Sequence, residues 1–214
     1  MKTFVKLCGL TSTDFMDLLP AGGAAGFVVE VPGSPRSISL EQAAALVSAV
    51  PQGTEAWAVV VGPSADRIHA LFDEVGVDRI QVYGSIPDGL DFLERHHLVP
   101  SFPLPPDAAS LPALPPAEEF PRIHLDSSDD PARPGGTGQI AHWDAAAALG
   151  EAHPGRKLIL AGGLTPENVG EALRRARPWG VDASSGIESS PGVKSSDRIR
   201  AFLNAVEAAE ANHA

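Results

Sequence analysis

The chain has 214 residues, with 27 acidic side chains against 16 Lys or Arg, and its net charge is −11 at pH 7. This charge disfavours nucleic acid and anionic membranes as partners, because both attract clusters of basic side chains. The length suits a single domain over residues 1–214, and the lack of a secretory signal or of a long apolar segment predicts a cytoplasmic protein.

The first predicted element is a strand at residues 3–7, which leads directly to Cys8. Cys8 is the only cysteine, so it is either a small buried apolar side chain or a reactive thiol. Its place at the carboxyl end of a strand favours the reactive thiol, because α/β folds gather catalytic groups there. Thr11 is a candidate N-cap for a first helix, although Pro20 and two glycines interrupt residues 12–23.

Short runs rich in Val, Ile and Leu recur along the whole chain and are predicted to be strands. These runs are residues 3–7, 26–31, 55–61, 79–82, 98–102, 122–125, 157–160 and 180–183. Helices are predicted between them from capping patterns and helical spacing, at residues 43–50, 65–75 and 197–209 and from Pro166 onward. A proline-rich stretch at 100–116 is interpreted as a long surface connection. Eight strand and helix alternations predict an α/β protein, a (β/α)8 barrel, with a doubly wound open sheet as the alternative.

The loops after the last two predicted strands have the composition of a phosphate site. Their residues are Gly162 and Gly163 in the first loop, and Asp182, Ser184, Ser185 and Gly186 in the second. Adjacent glycines let backbone N–H groups approach an anion, and in a (β/α)8 barrel these two loops most often hold phosphate. The expected partner is therefore a small phosphorylated substrate.

Asp126 follows the sixth predicted strand and should lie at the same end of the barrel as Cys8. A carboxyl group facing a thiol supplies one acid and one base for proton transfer, although an Asp at a loop start is often only a cap. Arg36, in the loop after the second strand, could bind a second anionic group. The glycine-rich residues 134–138 could close over a ligand or form a simple turn. The histidines show no metal-binding spacing.

The motifs KLCGLT, GSPRSIS, IQVYG, HLDSS, PGGTG, AGGLTPENV and VDASSGIESSPGVK occur in this order. Together, over residues 6–202, they resemble the phosphoribosylanthranilate isomerase family of tryptophan biosynthesis, which has the (β/α)8 fold. The resemblance implies an Amadori rearrangement of N-(5'-phosphoribosyl)anthranilate that needs no cofactor and no metal.

The resemblance also implies a role for each candidate residue. Asp126 would be the general acid, Cys8 the general base, and Arg36 the partner of the anthranilate carboxylate. The phosphate would be bound by Gly162, Gly163, Ser184, Ser185 and Gly186, with Asp182 in the same substrate site. Lys6, two residues before Cys8 on the same strand face, would favour the thiolate.

The fourth strand departs from the family pattern, because this chain has Tyr83 where the family usually has a histidine in QLHG. Two alternatives stay open. One is a dual isomerase that also serves histidine biosynthesis, although that family normally has an aspartate in place of Cys8. The other is a barrel that binds a phosphorylated metabolite without catalysis. Either a monomer or a homodimer is compatible with the sequence.

Overall fold

A computed structural model describes residues 2–104, 110–126 and 142–211. Within these ranges nine strands form one sheet: β1 (Phe4–Cys8), β2 (Ala24–Val29), β3 (Ser37–Ile38), β4 (Glu55–Val61), β5 (Arg79–Tyr83), β6 (Leu98–Pro103), β7 (Arg122–Asp126), β8 (Lys157–Ala161) and β9 (Gly180–Ala183). All pairs in this sheet are parallel, and β1 pairs with both β2 and β9. The sheet therefore closes, with β3 as a short addition to β2. The predicted (β/α)8 barrel is confirmed, and the open-sheet alternative is wrong.

Helices cover the outside of the barrel in the described ranges. They are α1 (Leu40–Val47), α2 (Ala65–Ala70), α3 (Phe92–His97), α4 (Trp143–Ala152), α5 (Val169–Ala176) and α6 (Ser196–Ala211). A small antiparallel hairpin, β10 (Glu188–Ser190) and β11 (Val193–Lys194), follows β9. No helix in the described ranges has both the length and the apolar character needed to cross a membrane.

The observed helix starts agree with some of the capping signals in the sequence and disagree with others. α1 begins directly after Ser39, which caps the helix by forming a reciprocal capping box with Gln42. The N-cap predicted at Thr11 is wrong: the described chain there has only a 3-10 turn, Met16–Leu18, since Pro20 and the following glycines prevent a longer helix. α5 begins at Val169 rather than at Pro166, although the Val169 N–H already bonds to the Thr165 carbonyl.

The amino-terminal end of the barrel is sealed by an aromatic cluster around Arg122. Its guanidinium lies 5.2 Å from the ring centre of Phe4, 5.7 Å from Trp57 and 5.0 Å from Trp179. The same group forms two hydrogen bonds, of 2.6 and 2.9 Å, to the Glu55 carboxylate. Because this end is filled and its charges are paired, a ligand can enter only from the carboxyl ends of the strands.

Candidate active site

A cavity of about 660 Å³ opens at the carboxyl ends of the barrel strands. The predicted site residues that line it are Cys8, Arg36, Asp126, Gly162, Gly163, Asp182, Ser184 and Ser185. Gly186 lies behind this lining, next to the backbone of Leu164. Residues far apart in the sequence are thus brought to one cavity by the closure of the barrel.

Cys8 is the last residue of β1 and is 6 % exposed. Gly26 on the neighbouring β2 makes room for it: a Cβ there would lie 3.0 Å from the Cys8 Sγ and 2.9 Å from the Lys6 Cε. Burial raises the pKa of the Cys8 thiol, whereas Lys6 lowers it, and the result lies above the ordinary value. Lys6 therefore favours the thiolate as predicted, but burial has the larger effect.

Beneath Cys8, three charged or polar side chains form a buried cluster. The Lys6 ammonium donates to Asp182 Oδ2 at 2.7 Å, and His124 Nε2 lies 3.0 Å from the same oxygen. Burial alone would raise the pKa of Asp182, but Lys6 and His124 together hold it below its ordinary value. The other oxygen, Asp182 Oδ1, is buried without a hydrogen-bond partner among the described residues. An acceptor in a cavity wall is suited to a hydroxyl group of a ligand.

Asp126, at the end of β7, is 3 % exposed and accepts a hydrogen bond from the Tyr83 hydroxyl at 2.7 Å, through Oδ2. Burial, followed by the nearby Asp126, raises the pKa of Tyr83 well above its ordinary value, so the phenol keeps its proton. The Tyr83 ring lies edge-on to the His124 ring, with 6.0 Å between the ring centres, and the Ser101 hydroxyl lies 2.7 Å from His124 Nδ1. The acid candidate is thus connected through side chains to the cluster beneath Cys8.

Arg36 is only 9 % exposed and is bound by a carboxylate of the chain itself. Its Nε and Nη2 donate to the two oxygens of Glu188 at 2.7 and 2.8 Å. Lys194 also donates to Glu188, at 2.7 Å. The sequence analysis assigned no role to Glu188 or Lys194. The signal that could have found them is the motif SSGIESSPGVK, because both residues belong to this part of the resemblance.

The loops after β8 and β9 meet beside the Arg36 cluster, because Lys194 also donates to the Ser184 carbonyl at 3.0 Å. Gly162 and Gly163 have φ values of 87° and 65°, a conformation that side chains other than glycine rarely adopt. A Cβ on Gly186 would lie 1.8 Å from the Leu164 carbonyl oxygen, so glycine is required for the two loops to touch. Ser184 and Ser185 line the cavity beside them. Glycine backbone and serine hydroxyls at two adjoining loops can bind a phosphate group.

Two of the sequence interpretations fall partly or wholly outside the described residues. The glycine-rich loop at 134–138 is one of them, and residues 105–109 of the proline-rich connection are the other. Among the described residues, no group of three or more His, Cys, Asp or Glu side chains is arranged to hold a metal ion.

Comparison with known proteins gives a consistent result. A family model described as N-(5'-phosphoribosyl)anthranilate (PRA) isomerase matches residues 5–205. A protein of that name from Haloferax volcanii is 39% identical over 213 residues, which are 97% of this chain and 94% of the relative. The solved structure of TrpF from Jonesia denitrificans has a TM-score of 0.77 at 31% identity and covers 97% of this chain and 98% of its own.

A further solved structure with a related fold was determined with a bound ligand. It is a phosphoribosyl anthranilate isomerase in complex with reduced 1-(o-carboxyphenylamino)-1-deoxyribulose 5-phosphate. Its TM-score is 0.71 at 27% identity, and the match covers 96% of this chain and 99% of that chain.

Proposed function

The chain belongs to the N-(5'-phosphoribosyl)anthranilate isomerase family and is therefore an isomerase of tryptophan biosynthesis, and we propose that Asp126 is its general acid and Cys8 its general base. The observation that carries this proposal is that both side chains line one cavity together with the two glycine and serine loops. A substrate whose phosphate is bound at those loops has its ribose between the acid and the base.

The first step is opening of the ribose ring. Asp126 donates a proton to the ring oxygen, the bond from that oxygen to C1 breaks, and the nitrogen lone pair forms a protonated Schiff base. Asp126 is left as a carboxylate, which accepts the Tyr83 hydroxyl at Oδ2 and is stabilised by it.

The second step is removal of the proton from C2. The Cys8 thiolate takes this proton, and the electrons of the C–H bond neutralise the Schiff base and give an enolamine, which tautomerises to the ketone. Burial raises the pKa of Cys8, so the thiolate is a minor form at neutral pH. The same rise makes the thiolate, where it forms, a stronger base. One turnover leaves Asp126 ionised and Cys8 protonated, so the two groups must exchange protons before the next.

The substrate carries anionic groups at both ends, and a protein of net charge −11 must capture them locally. The backbone N–H groups of the two loops and the hydroxyls of Ser184 and Ser185 bind the phosphate, with Gly186 keeping the loops together. Glu188 occupies Nε and Nη2 of Arg36 and fixes the plane of its guanidinium. The remaining edge of Arg36 binds the anthranilate carboxylate, and Asp182 Oδ1 accepts from a ribose hydroxyl.

The decisive experiment follows the fluorescence of phosphoribosylanthranilate, which disappears as the substrate is consumed, with wild-type protein, Asp126→Asn and Cys8→Ser. We expect each substitution to lower kcat at least about a thousandfold, because an amide cannot deliver the proton and a hydroxyl is too weak a base. The binding of the substrate should change by less than about tenfold. Glu207→Gln, at an exposed position near the end of α6, is the matched control and should behave as wild type.

Retention of most activity by Asp126→Asn or by Cys8→Ser would contradict the assigned role of that residue. A wild-type protein that bound the substrate without consuming it would instead support the non-catalytic alternative.

A further inference from the structure

We propose that Tyr83 is a positioning residue that holds the Asp126 carboxyl group in one rotamer through a hydrogen bond to Oδ2. The proposal deepens the function proposed above and rests on the role of Asp126 as the acid. Tyr83 stands where the family pattern usually has a histidine, so this device belongs to the residues of this chain.

The position of Tyr83 in the barrel makes a long side chain necessary. Tyr83 ends β5 and Asp126 ends β7, with β6 between them. Neighbouring strands lie about 4.8 Å apart, so the two backbones are separated by roughly 10 Å. The phenol spans this gap and places its oxygen 2.7 Å from Asp126 Oδ2. An imidazole at the same position is shorter and could not reach as far.

The direction of this hydrogen bond is fixed by the protonation of Tyr83. Burial and the neighbouring carboxylate keep the phenol protonated over the working pH range, so its O–H donates and Oδ2 accepts. This donated hydrogen bond restricts rotation of the Asp126 carboxyl group.

The Tyr83 hydroxyl is itself held in place. The Tyr83 ring lies edge-on to the ring of His124, with 6.0 Å between the ring centres. The hydroxyl of Ser101, the register partner of Tyr83 on β6, lies 2.7 Å from His124 Nδ1. His124 is fixed by Asp182 on its other nitrogen, at 3.0 Å. Tyr83 thus has little freedom to turn away from Asp126, and the acid is held in one rotamer.

In Tyr83→Phe the ring remains but the donor to Asp126 is lost, so the carboxyl group can leave the rotamer that faces the substrate. We expect kcat to fall about tenfold and KM to change by less than about twofold, because the loss acts on proton transfer and not on substrate binding.

Steady-state kinetics with phosphoribosylanthranilate measure both values. Glu207→Gln, at an exposed position near the end of α6, is the control and should leave kcat and KM within about twofold of the wild type.

A kcat of Tyr83→Phe within about twofold of the wild type would overturn the proposal, and so would a rise in KM as large as the fall in kcat, because Tyr83 would then only shape the cavity. Failure of the underlying function is visible separately, as activity that persists in Asp126→Asn, and it would overturn both assignments. Thermal unfolding of Tyr83→Phe near the wild-type temperature shows that the comparison is between folded proteins.

Discussion

Arg36, the proposed partner of the anthranilate carboxylate, is bound by other side chains of the protein. Glu188 pairs with both Arg36 and Lys194, and the three side chains are nearly inaccessible. The guanidinium is therefore oriented before the substrate arrives, which reduces the entropy lost on binding. Glycine at position 9 permits this arrangement, since a Cβ there would lie 2.5 Å from the Arg36 Cδ.

We expect Arg36→Met to raise KM for phosphoribosylanthranilate about ten- to a hundredfold and to lower kcat less, because a carboxylate contact remote from the reacting carbons acts alike on ground and transition states. Glu188→Gln should raise KM by a smaller factor, since the guanidinium is present but less firmly oriented. Steady-state kinetics give both values. Ribose 5-phosphate, which lacks the carboxylate, is the control ligand, and an equal loss of its binding in Arg36→Met would contradict the assignment.

At the scale of elements, the loops after β8 and β9 depend on one close backbone contact. Gly186→Ala places a methyl group in contact with the Leu164 carbonyl, so we expect it to destabilise the fold by about 1–3 kcal/mol and to weaken phosphate binding. Gly150→Ala is the matched control, because a Cβ in that helix has its nearest neighbour at 4.0 Å. It should stabilise by about 0.5–1 kcal/mol. Urea unfolding measures both, and an unaffected Gly186→Ala would show that the loops do not rely on this contact.

The barrel strands could be predicted because each is an apolar run bounded by Gly, Pro or polar residues. Such continuous runs are expected in a parallel sheet, since both of its faces are covered. The hairpin β10–β11 could not be predicted, since strands of three and two residues carry no periodicity. The helix start predicted at Thr11 was wrong because a capping residue was given more weight than Pro20 and the glycines after it.

Cys8 and Asp126 could be placed at one end of the barrel from their strand positions alone. The contact of Arg36 with Glu188 joins residues 152 positions apart, which no local pattern can show.

At the scale of the whole molecule, three carboxylates in ion pairs make the free energy of unfolding depend on pH. Burial opposes ionisation of Glu55, Asp182 and Glu188, but their basic partners outweigh it, and the pKa of each lies below its ordinary value. A carboxyl group whose pKa is lower in the folded than in the unfolded state stabilises the fold above its unfolded pKa. That contribution is lost as the pH falls through the folded pKa.

We therefore expect the free energy of unfolding to be steady from about pH 7 to pH 5 and to decrease below about pH 4.5. Urea titrations at a series of pH values measure this. Glu55→Gln, at the sealed end of the barrel and away from the cavity, should reduce the dependence of stability on acid pH while leaving Cys8 and Asp126 in place. Stability that stayed constant down to pH 3 would contradict the account of these pairs.

The most direct test of the central claim is a crystal structure of this protein with reduced 1-(o-carboxyphenylamino)-1-deoxyribulose 5-phosphate. We predict the phosphate at Gly163 and Ser185, the carboxylate at Arg36, and Asp126 within about 3.2 Å of the oxygen that was in the ribose ring. The Cys8 Sγ should face C2. A ligand bound in the reverse direction, or with C2 on the far side of the cavity from Cys8, would contradict the assignment of acid and base.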